Sequence, residues 1–184
     1  MNVRETIFHD VLLIEPDVFE DSRGFFMETY RENRYQDAGV IPLFVQDNIS
    51  YSSKGVLRGL HFQYPNPQGK LVSVLQGEVF DVVVDIRVGS PTFGLWFGHY
   101  LSAENKEQLW IPEGFAHGFC VTSDSALLHY KCTNYYSADS DMSLRWDDPA
   151  IGINWPVDTP ILSDKDAHAS VLAEVPLNKL PILL

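Results

Sequence analysis

The stretch KLVSVLQGEVFDVVVDI, residues 70 to 86, decides the fold class. Two runs rich in β-branched residues flank Gln76-Gly77, and a glycine-containing pair between such runs is typical of a turn between strands. In the second run the even positions from 80 to 86 are apolar, whereas positions 81 and 85 carry carboxylates. Because side chains alternate between the faces of a strand, this pattern predicts a strand with one apolar face.

Outward from this stretch, more strand-like runs follow, and turn sequences separate them. The candidates are residues 93 to 101, 108 to 111, 115 to 121 and 126 to 133. Helical periodicity is scarce, so we predict an all-β core of about eight to ten strands. Short helices are expected near residues 32 to 38, ended by Gly39, and from Ser163, where Asp166 stands three residues on as in a capping box.

Length and charge limit the classes of protein that the chain can represent. Its 184 residues suit one domain, residues 1 to 184, with a tail from about residue 151 to 184 wrapped around the core. A net charge of -12 disfavours nucleic acid and anionic membranes as partners. We find neither a signal peptide nor an apolar run that could span a bilayer, and we expect a cytoplasmic protein.

The segment PEGFAH, residues 112 to 117, resembles the second half of the cupin signature. Metal-binding cupins carry His-x-His and a Glu in the first half, whereas this chain has His61-Phe62-Gln63 there. A metal site needs three or four ligands. We therefore predict a cupin-type jelly-roll, or double-stranded β-helix, barrel with no metal site. For His117 alone, the simpler alternative is a strand histidine that a neighbouring backbone group satisfies.

The segment RGLHFQYPNPQGK, residues 58 to 70, places two cations and an imidazole close together in the chain. Arg58, His61 and Lys70 fall within thirteen residues. This combination suits an anionic substrate that is deprotonated, because imidazole is the usual general base near neutral pH. A surface loop with no catalytic role is the alternative.

Several separate stretches carry a resemblance that covers the chain from about residue 4 to 175. They are DSRGFFMETY (21–30), VQDNIS (45–50), GVLRGLHFQ (55–63), QGKLVSVLQGEVFDVVVDIR (68–87), SPTFG (90–94), LSAENKEQLWIPEGFAHGF (101–119), YKCTNYYS (130–137) and LSDKD (162–166). In order and spacing the chain resembles the dTDP-4-dehydrorhamnose 3,5-epimerase family, which are metal-free cupin sugar-nucleotide epimerases.

The resemblance implies a dTDP-linked 4-keto-6-deoxyhexose substrate that is inverted at C3 and C5, both adjacent to the C4 ketone. Such protons leave as an enolate forms, so the site requires a base, a positive group near the ketone oxygen and an acid on the opposite face. No cofactor and no metal are expected. Sequence alone leaves three alternatives. They are an enzyme that inverts only C3 or only C5, a cupin that binds a nucleotide-sugar without catalysis, and a metal-dependent cupin oxygenase or isomerase.

The resemblance also assigns catalytic roles to individual residues. His61 is the expected base, and Asp166 is expected to orient it, although a helix cap is an alternative role for this carboxylate. Lys70 falls at the position of the cation near the ketone oxygen, where the alternative is a solvated turn lysine. Tyr130 falls at the position of the general acid, although a tyrosine buried in the core would give the same pattern.

Substrate-binding positions carry over in the same way. They are Arg23, Glu28, Gln46, Asp47, Asn48, Arg58, Lys70, His117, Asp141 and Lys165. Phe19, Phe25 and Phe26 could stack on the thymine, but we expect at least two of them to pack in the core. The resemblance further implies a homodimer in which N-terminal strands, within about residues 1 to 50, cross to the partner.

Overall fold

The computed structural model describes residues 1–183, which form thirteen strands and two short α-helices. The strands are β1 (Asn2–Glu5), β2 (Leu12–Glu15), β3 (Val18–Asp21), β4 (Gly24–Met27), β5 (Gln46–Ser53), β6 (Leu57–Gln63), β7 (Lys70–Gln76), β8 (Glu78–Asp85), β9 (Trp96–Ser102), β10 (Gln108–Ile111), β11 (Phe115–Val121), β12 (Ser125–Cys132) and β13 (Asp141–Ser143). The helices are α1 (Glu32–Asp37) and α2 (Asp164–Ala167), and two 3₁₀ turns cover Leu172–Glu174 and Leu177–Lys179.

Two antiparallel sheets form the barrel. One has the strand order β1-β2-β10-β7-β12-β5, and the other has the order β13-β6-β11-β8-β9. Strands that follow one another in the chain commonly lie in different sheets, as expected for a jelly-roll. The prediction of an all-β cupin-type barrel with a few short helices is thereby confirmed.

The turn at Gly77 separates two sheets instead of closing a hairpin. Strand β7 pairs with β10 and β12, whereas β8 pairs with β11 and β9. Gly77 has a φ of +76°, and a Cβ on this residue would lie 2.0 Å from the carbonyl oxygen of Ser125. Only glycine fits this crossing point, because it tolerates both the left-handed backbone and the close approach.

Both faces of β8 are buried, which differs from the expectation of one apolar and one charged face. Val79 and Val83 pack between the sheets, in the cluster that contains Leu109 and Phe115. The opposite face packs in a second cluster that includes Phe80, Val82 and Val84 from β8 and Leu172, Val175 and Leu180 from the C-terminal segment. That segment covers a face that would otherwise be solvated. Asp81 and Asp85 are on the same face as Val79 and Val83, toward the other sheet, and their carboxylates are fully buried.

The first 27 residues contain four strands that sequence patterns did not predict. Strands β3 and β4 pair only with each other, as a two-stranded ribbon. Phe19, Phe25 and Phe26 lie on this ribbon and are 64%, 58% and 70% exposed. The expectation that at least two of these rings pack in the core was wrong, because the ribbon stands outside both sheets.

The two short helices lie where capping residues predicted them. Helix α1 is followed by Gly39, whose φ of +98° ends the helical path. Ser163 caps α2, since its hydroxyl accepts the Asp166 amide N–H at 3.2 Å. Across residues 1–183, none of the helices has the length and apolar character that a bilayer crossing requires.

Candidate active site

A cleft of about 310 Å³ opens between the two sheets and collects most of the predicted site residues. Strands β5, β7 and β12 contribute from one sheet, and β6 and β13 contribute from the other. Helix α2 and two loops complete the wall. The lining residues are Gln46, Asn48, His61, Phe62, Gln63, Gln68, Lys70, Tyr130, Tyr136, Asp141 and Lys165.

His61 and Asp166 form a hydrogen-bonded pair on the cleft wall, although 105 positions separate them in the chain. The distance from His61 Nε2 to Asp166 Oδ1 is 2.6 Å, and the Asp166 side chain is only 2% exposed. Burial raises the pKa of Asp166, but hydrogen bonds from His61, Gly59 and Ser163 outweigh burial and hold it below its ordinary value. An ionised carboxylate can only accept, so Nε2 carries the proton and Nδ1 is free for a ligand.

Local sequence builds this pair in two places. On β6, a Cβ on Gly59 would lie 2.5 Å from the Gly118 Cα atom, so glycine lets β6 and β11 approach closely. The freed Gly59 N–H donates to Asp166 Oδ2 at 3.4 Å. On α2, only half of the predicted capping box forms, because the Asp166 carboxylate binds His61 instead of returning to the backbone of Ser163.

Lys70 stands at the start of β7 and lines the cleft without a carboxylate partner. Within residues 1–183, no acidic group lies at salt-bridge distance from its Nζ atom. Burial lowers the pKa of Lys70, while the nearby charges of Asp81 and Asp141 act in the opposite direction. A desolvated ammonium with no internal counter-ion is well suited to an oxygen that acquires negative charge.

Tyr130 reaches the cleft from β12, in the sheet opposite to the strand that carries His61. Burial raises the pKa of its phenol, an effect that the positive charge of Arg58 partly opposes. The phenol therefore keeps its proton at neutral pH. His61 and Tyr130 approach the cleft from opposite walls, as a base and an acid acting on two faces of one ring would.

Strand alternation divides the predicted binding residues of β5. Gln46 and Asn48 line the cleft, whereas Asp47 lies on the opposite face and accepts a hydrogen bond from Lys131 Nζ at 2.7 Å. In the single chain, the structure thus directs Asp47 away from the cleft. Arg58 is exposed, and its Nε atom donates to the Ser52 hydroxyl at 3.0 Å.

At the rim of the cleft, Asp141 joins β13 to α2. Its Oδ2 atom lies 2.6 Å from Lys165 Nζ and accepts a hydrogen bond from the Tyr136 hydroxyl at 3.0 Å. This cluster places a second phenol and a cation at the entrance. Tyr136 belongs to the stretch YKCTNYYS and lines the cleft, although the sequence does not predict it as a site residue.

Three other predicted residues lie outside the cleft lining. His117 is buried in β11, where its Nε2 atom lies 2.9 and 3.0 Å from the two oxygens of Asp81, so its partner is a carboxylate. Arg23 pairs with Asp21 on the exposed ribbon, and Glu28 accepts from Arg34. One chain alone does not bring Arg23 and Glu28 to the cleft.

Sequence patterns missed three further lining residues, Phe62, Gln63 and Gln68. Gln63 follows His61 by two positions, so strand periodicity could have placed both side chains on one face. Gln68 donates to the Asn134 carbonyl at 2.7 Å, which fixes the loop before β7. In the range that the structure describes, no three His, Cys, Asp or Glu side chains are grouped so that they could hold a metal ion.

The chain is similar in sequence to proteins of known activity. The sequence model of the dTDP-4-dehydrorhamnose 3,5-epimerase family matches residues 5–174. A Shigella flexneri protein described as dTDP-4-dehydrorhamnose 3,5-epimerase is 60% identical over 91% of this chain and 94% of its own. A Neisseria gonorrhoeae protein of the same description is 57% identical over 95% of this chain. The chain spans about half (53%) of that relative's length.

A solved structure agrees over the whole chain. A dTDP-6-deoxy-D-glucose-3,5-epimerase from Legionella pneumophila, determined in complex with dTDP-4-keto-L-rhamnose, superposes with a TM-score of 0.97. It is 52% identical and matches over 100% of this chain and 98% of its own. Sequence and structure lead to the same conclusion, and this chain belongs to the dTDP-4-dehydrorhamnose 3,5-epimerase family.

Proposed function

We propose that the protein converts dTDP-4-dehydro-6-deoxy-D-glucose into dTDP-4-dehydro-L-rhamnose by inverting C3 and C5. The observation that carries this proposal is the convergence of the His61–Asp166 pair, Lys70 and Tyr130 on one cleft. The relatives' activity and the ligand of the Legionella structure give the substrate class. Each of the four side chains has a distinct task.

His61 removes the proton. Its Nδ1 atom takes a hydrogen from the carbon next to the ketone, and the C–H bonding pair becomes the enolate double bond. The Asp166 carboxylate, 2.6 Å from Nε2, orients the ring and stabilises the imidazolium that results. Because hydrogen bonds hold the pKa of Asp166 below its ordinary value in spite of burial, it stays ionised at neutral pH.

Lys70 stabilises the enolate. Its ammonium has no carboxylate partner in the described part of the chain, so its charge is available to the ketone oxygen as negative charge develops there. Removing one such electrostatic partner from an active site typically costs about 10²–10³-fold in rate.

Tyr130 returns a proton on the other face. Burial keeps the phenol protonated, and it donates its proton to the carbanionic carbon as the carbonyl re-forms. Inversion results because the proton leaves toward one wall of the cleft and arrives from the other. Solvent exchange through the open cleft restores both side chains, and the same sequence at the second carbon completes the reaction.

Binding of the nucleotide uses the remaining residues. Arg58, Lys165 and His117 are assigned to the anionic and polar parts of the dTDP group, with Gln46, Asn48 and Asp141 on the cleft wall. Arginine presents a fork of donors that suits phosphate oxygens. Asp47, which faces Lys131, acts through the outer face of β5 if it contributes to binding.

The protein acts as a homodimer, and the exposed β3–β4 ribbon with its three phenylalanines supports this part of the proposal. Crossing of the ribbon to a partner covers these rings and carries Arg23 and Glu28 to the neighbouring cleft. Light scattering should give twice the mass of the chain. A Phe26→Asp variant, which places a charge on this surface, should dissociate, and a monomeric wild type rules the dimer out.

The test of function is proton exchange. The protein is incubated with dTDP-4-keto-6-deoxyglucose in deuterated water, and NMR follows label at C3 and C5. Label and inversion at both carbons support the proposal. Label at one carbon identifies a single-carbon epimerase, and tight binding without exchange identifies a binding protein. Activity that a chelator abolishes, with a stoichiometric metal ion, would overturn the acid–base mechanism.

A matched variant ties the exchange to His61. His61→Ala should abolish label incorporation while dTDP binding stays nearly intact, because the imidazole acts on the sugar and not on the nucleotide. His9→Ala is the control, since His9 is exposed and pairs with Glu5 on the surface. Unchanged turnover in His61→Ala removes this residue from the mechanism.

A further inference from the structure

A second histidine–carboxylate pair lies in the barrel beside the first. His117 of β11 and His61 of β6 are cross-strand partners in the ladder that joins these strands. Asp81 of β8 binds His117 from the other side, with Nε2 at 2.9 and 3.0 Å from its two oxygens. The three strands β6, β11 and β8 are adjacent in one sheet, so the two pairs share a wall.

Asp81 is enclosed to a degree that a purely structural carboxylate rarely tolerates. Its side chain has no exposed surface, and the His117 ring is its only hydrogen-bond donor among the described residues. A buried carboxylate is costly unless partners compensate for lost water. Asp148, also buried, shows the ordinary solution, because it accepts from the backbone N–H groups of Ala150 and Leu172.

The geometry determines which nitrogen of His117 faces a ligand. An ionised carboxylate only accepts hydrogen bonds, so Nε2 of His117 must carry a proton directed at Asp81. Nδ1 has no hydrogen-bond partner within residues 1–183 and is not among the atoms sealed from solvent. Because cross-strand partners lie on the same face of a sheet, the His117 ring is on the wall that His61 also occupies.

We propose that Asp81 is a positioning residue, which fixes the tautomer and orientation of His117 so that Nδ1 contacts the bound dTDP group. This inference rests on the proposed function, in which His117 belongs to the binding site. Asp81 touches no substrate, and its effect on dTDP binding passes through the imidazole, although its charge also acts to raise the pKa of Lys70. Removal of the carboxylate frees the ring to rotate or to change tautomer, and the contact at Nδ1 is lost.

Two substitutions separate orientation from packing. Asp81→Asn keeps an oxygen that accepts from Nε2–H, so the affinity for dTDP measured by calorimetry should stay within about threefold of wild type. Asp81→Ala removes the acceptor and should weaken dTDP binding roughly tenfold, as expected for one lost hydrogen bond. Equal affinity in Asp81→Ala and wild type overturns the proposal.

A double-mutant cycle tests whether Asp81 works through His117. His117→Ala should weaken dTDP binding as much as Asp81→Ala does, and the double variant should weaken it no further, because both changes remove one contact. If the two defects multiply, Asp81 has an independent role and the proposal fails. Asp148→Asn is the control for a buried carboxylate, and it should lower the melting temperature while leaving dTDP affinity unchanged.

A spectroscopic test needs no variant and stands even if Asp81→Ala does not fold. In protein labelled with ¹⁵N-histidine, the His117 signals should show a protonated Nε2, and added dTDP should shift the Nδ1 signal. A neutral ring protonated at Nδ1 alone contradicts the assignment. Because these measurements use dTDP without turnover, a wild type that binds dTDP but does not epimerise refutes the proposed function and leaves the Asp81 proposal standing. A wild type that does not bind dTDP refutes both.

Discussion

Asp166→Asn is the sharpest probe of the proposed mechanism, because it changes one atom of the His61 pair. In the wild type, Oδ1 lies 2.6 Å from His61 Nε2 and Oδ2 lies 3.4 Å from the Gly59 amide nitrogen. Asparagine has only one oxygen for these two donors. If that oxygen accepts from Gly59, the side-chain NH₂ group faces Nε2, which must then be bare.

The change in tautomer affects Nδ1 of His61, the nitrogen that acts as the base. A neutral ring with a bare Nε2 carries its proton on Nδ1, so Nδ1 can no longer accept a proton from the sugar. The imidazolium also loses its counter-charge. Together, the wrong tautomer and the missing charge should lower kcat by about 10³–10⁴-fold, equivalent to roughly 4–5 kcal/mol in the activation barrier.

The assay is single-turnover incorporation of deuterium at C3 and C5, with circular dichroism to show that the variant is folded. Asp164→Asn is the matched control, because Asp164 lies in the same short helix but is exposed. Its kcat should stay within about twofold of wild type, as is usual for surface changes. A kcat for Asp166→Asn within tenfold of wild type would falsify the role given to the pair.

Three other substitutions extend the tests to the remaining groups and to the fold. Lys70→Gln should lower kcat about 10²–10³-fold. Burial lowers the pKa of Lys70 and the charged form is active, so the wild-type rate should be full at lower pH and should decline at a pH below the usual pKa of lysine. A pH–rate profile of Lys70→Gln should lack that decline. Tyr130→Phe should lose the epimerised product yet keep some proton exchange at C5, and native-rate epimerisation would assign the acid elsewhere. Gly77→Ala should lower the free energy of unfolding in urea by about 2 kcal/mol or more, because backbone strain at positive φ and the 2.0 Å approach to the Ser125 carbonyl oxygen add together. Gly89→Ala is the control: Gly89 has a φ of +89° but open space around it, so this change should lower the free energy of unfolding less. Equal losses would contradict the steric argument.

Local patterns predicted the strands well where the chain is regular. Strands β10 and β11 begin and end where the runs at 108 to 111 and 115 to 121 predicted. These runs are apolar, β-branched or aromatic, and turn residues bound them. Local patterns did not predict strands β1 to β4, because each is only four residues long and three of the four mix charged with apolar side chains. A strand that short depends on its partner for stability, and the partner is not visible in local sequence.

The assignment of strands to sheets could not be predicted for a different reason. Either a hairpin or a crossing between sheets could follow Gln76-Gly77, since both need a glycine with positive φ. The outcome depends on which later strands pair with β7 and β8, namely β10 and β12 with β7 and β11 with β8. Burial of the Asp81 and Asp85 carboxylates is also non-local, because the face of β8 that carries them packs toward the other sheet.

For the site, the sequence predicted which residues take part better than it predicted which side chains contact one another. The prediction of His61, Lys70, Tyr130 and Asp166 came from matched motifs, and the structure places these four together. Spacing alone could not show that Asp166 would meet His61, since helix α2 and strand β6 are far apart in the chain and come together only in the folded protein. Strand periodicity could, in contrast, have predicted the direction of the Asp47 side chain. Its neighbours Gln46 and Asn48 face the cleft, so Asp47 must face away from it.

The distribution of ion pairs explains how an acidic chain can bind an anionic substrate. Arg4, Arg23, Arg34, Arg87, Lys131, Arg145 and Lys165 each pair with a carboxylate. In the described residues, Lys70 lines the cleft with no such partner, and Arg58 binds only the neutral hydroxyl of Ser52. These charges are not neutralised internally, and the charge of Lys70, which is partly buried, is screened less than that of the exposed Arg58. The cleft can therefore attract a diphosphate and an enolate even though the net charge is -12. Arg31, Lys54, Lys106 and Lys179 also pair with no carboxylate in the described residues, but none of them lines the cleft. Lys70 does line it, and Arg58 lies on β6, the strand that carries His61. Position together with pairing therefore locates the anionic ligand more precisely than total charge does.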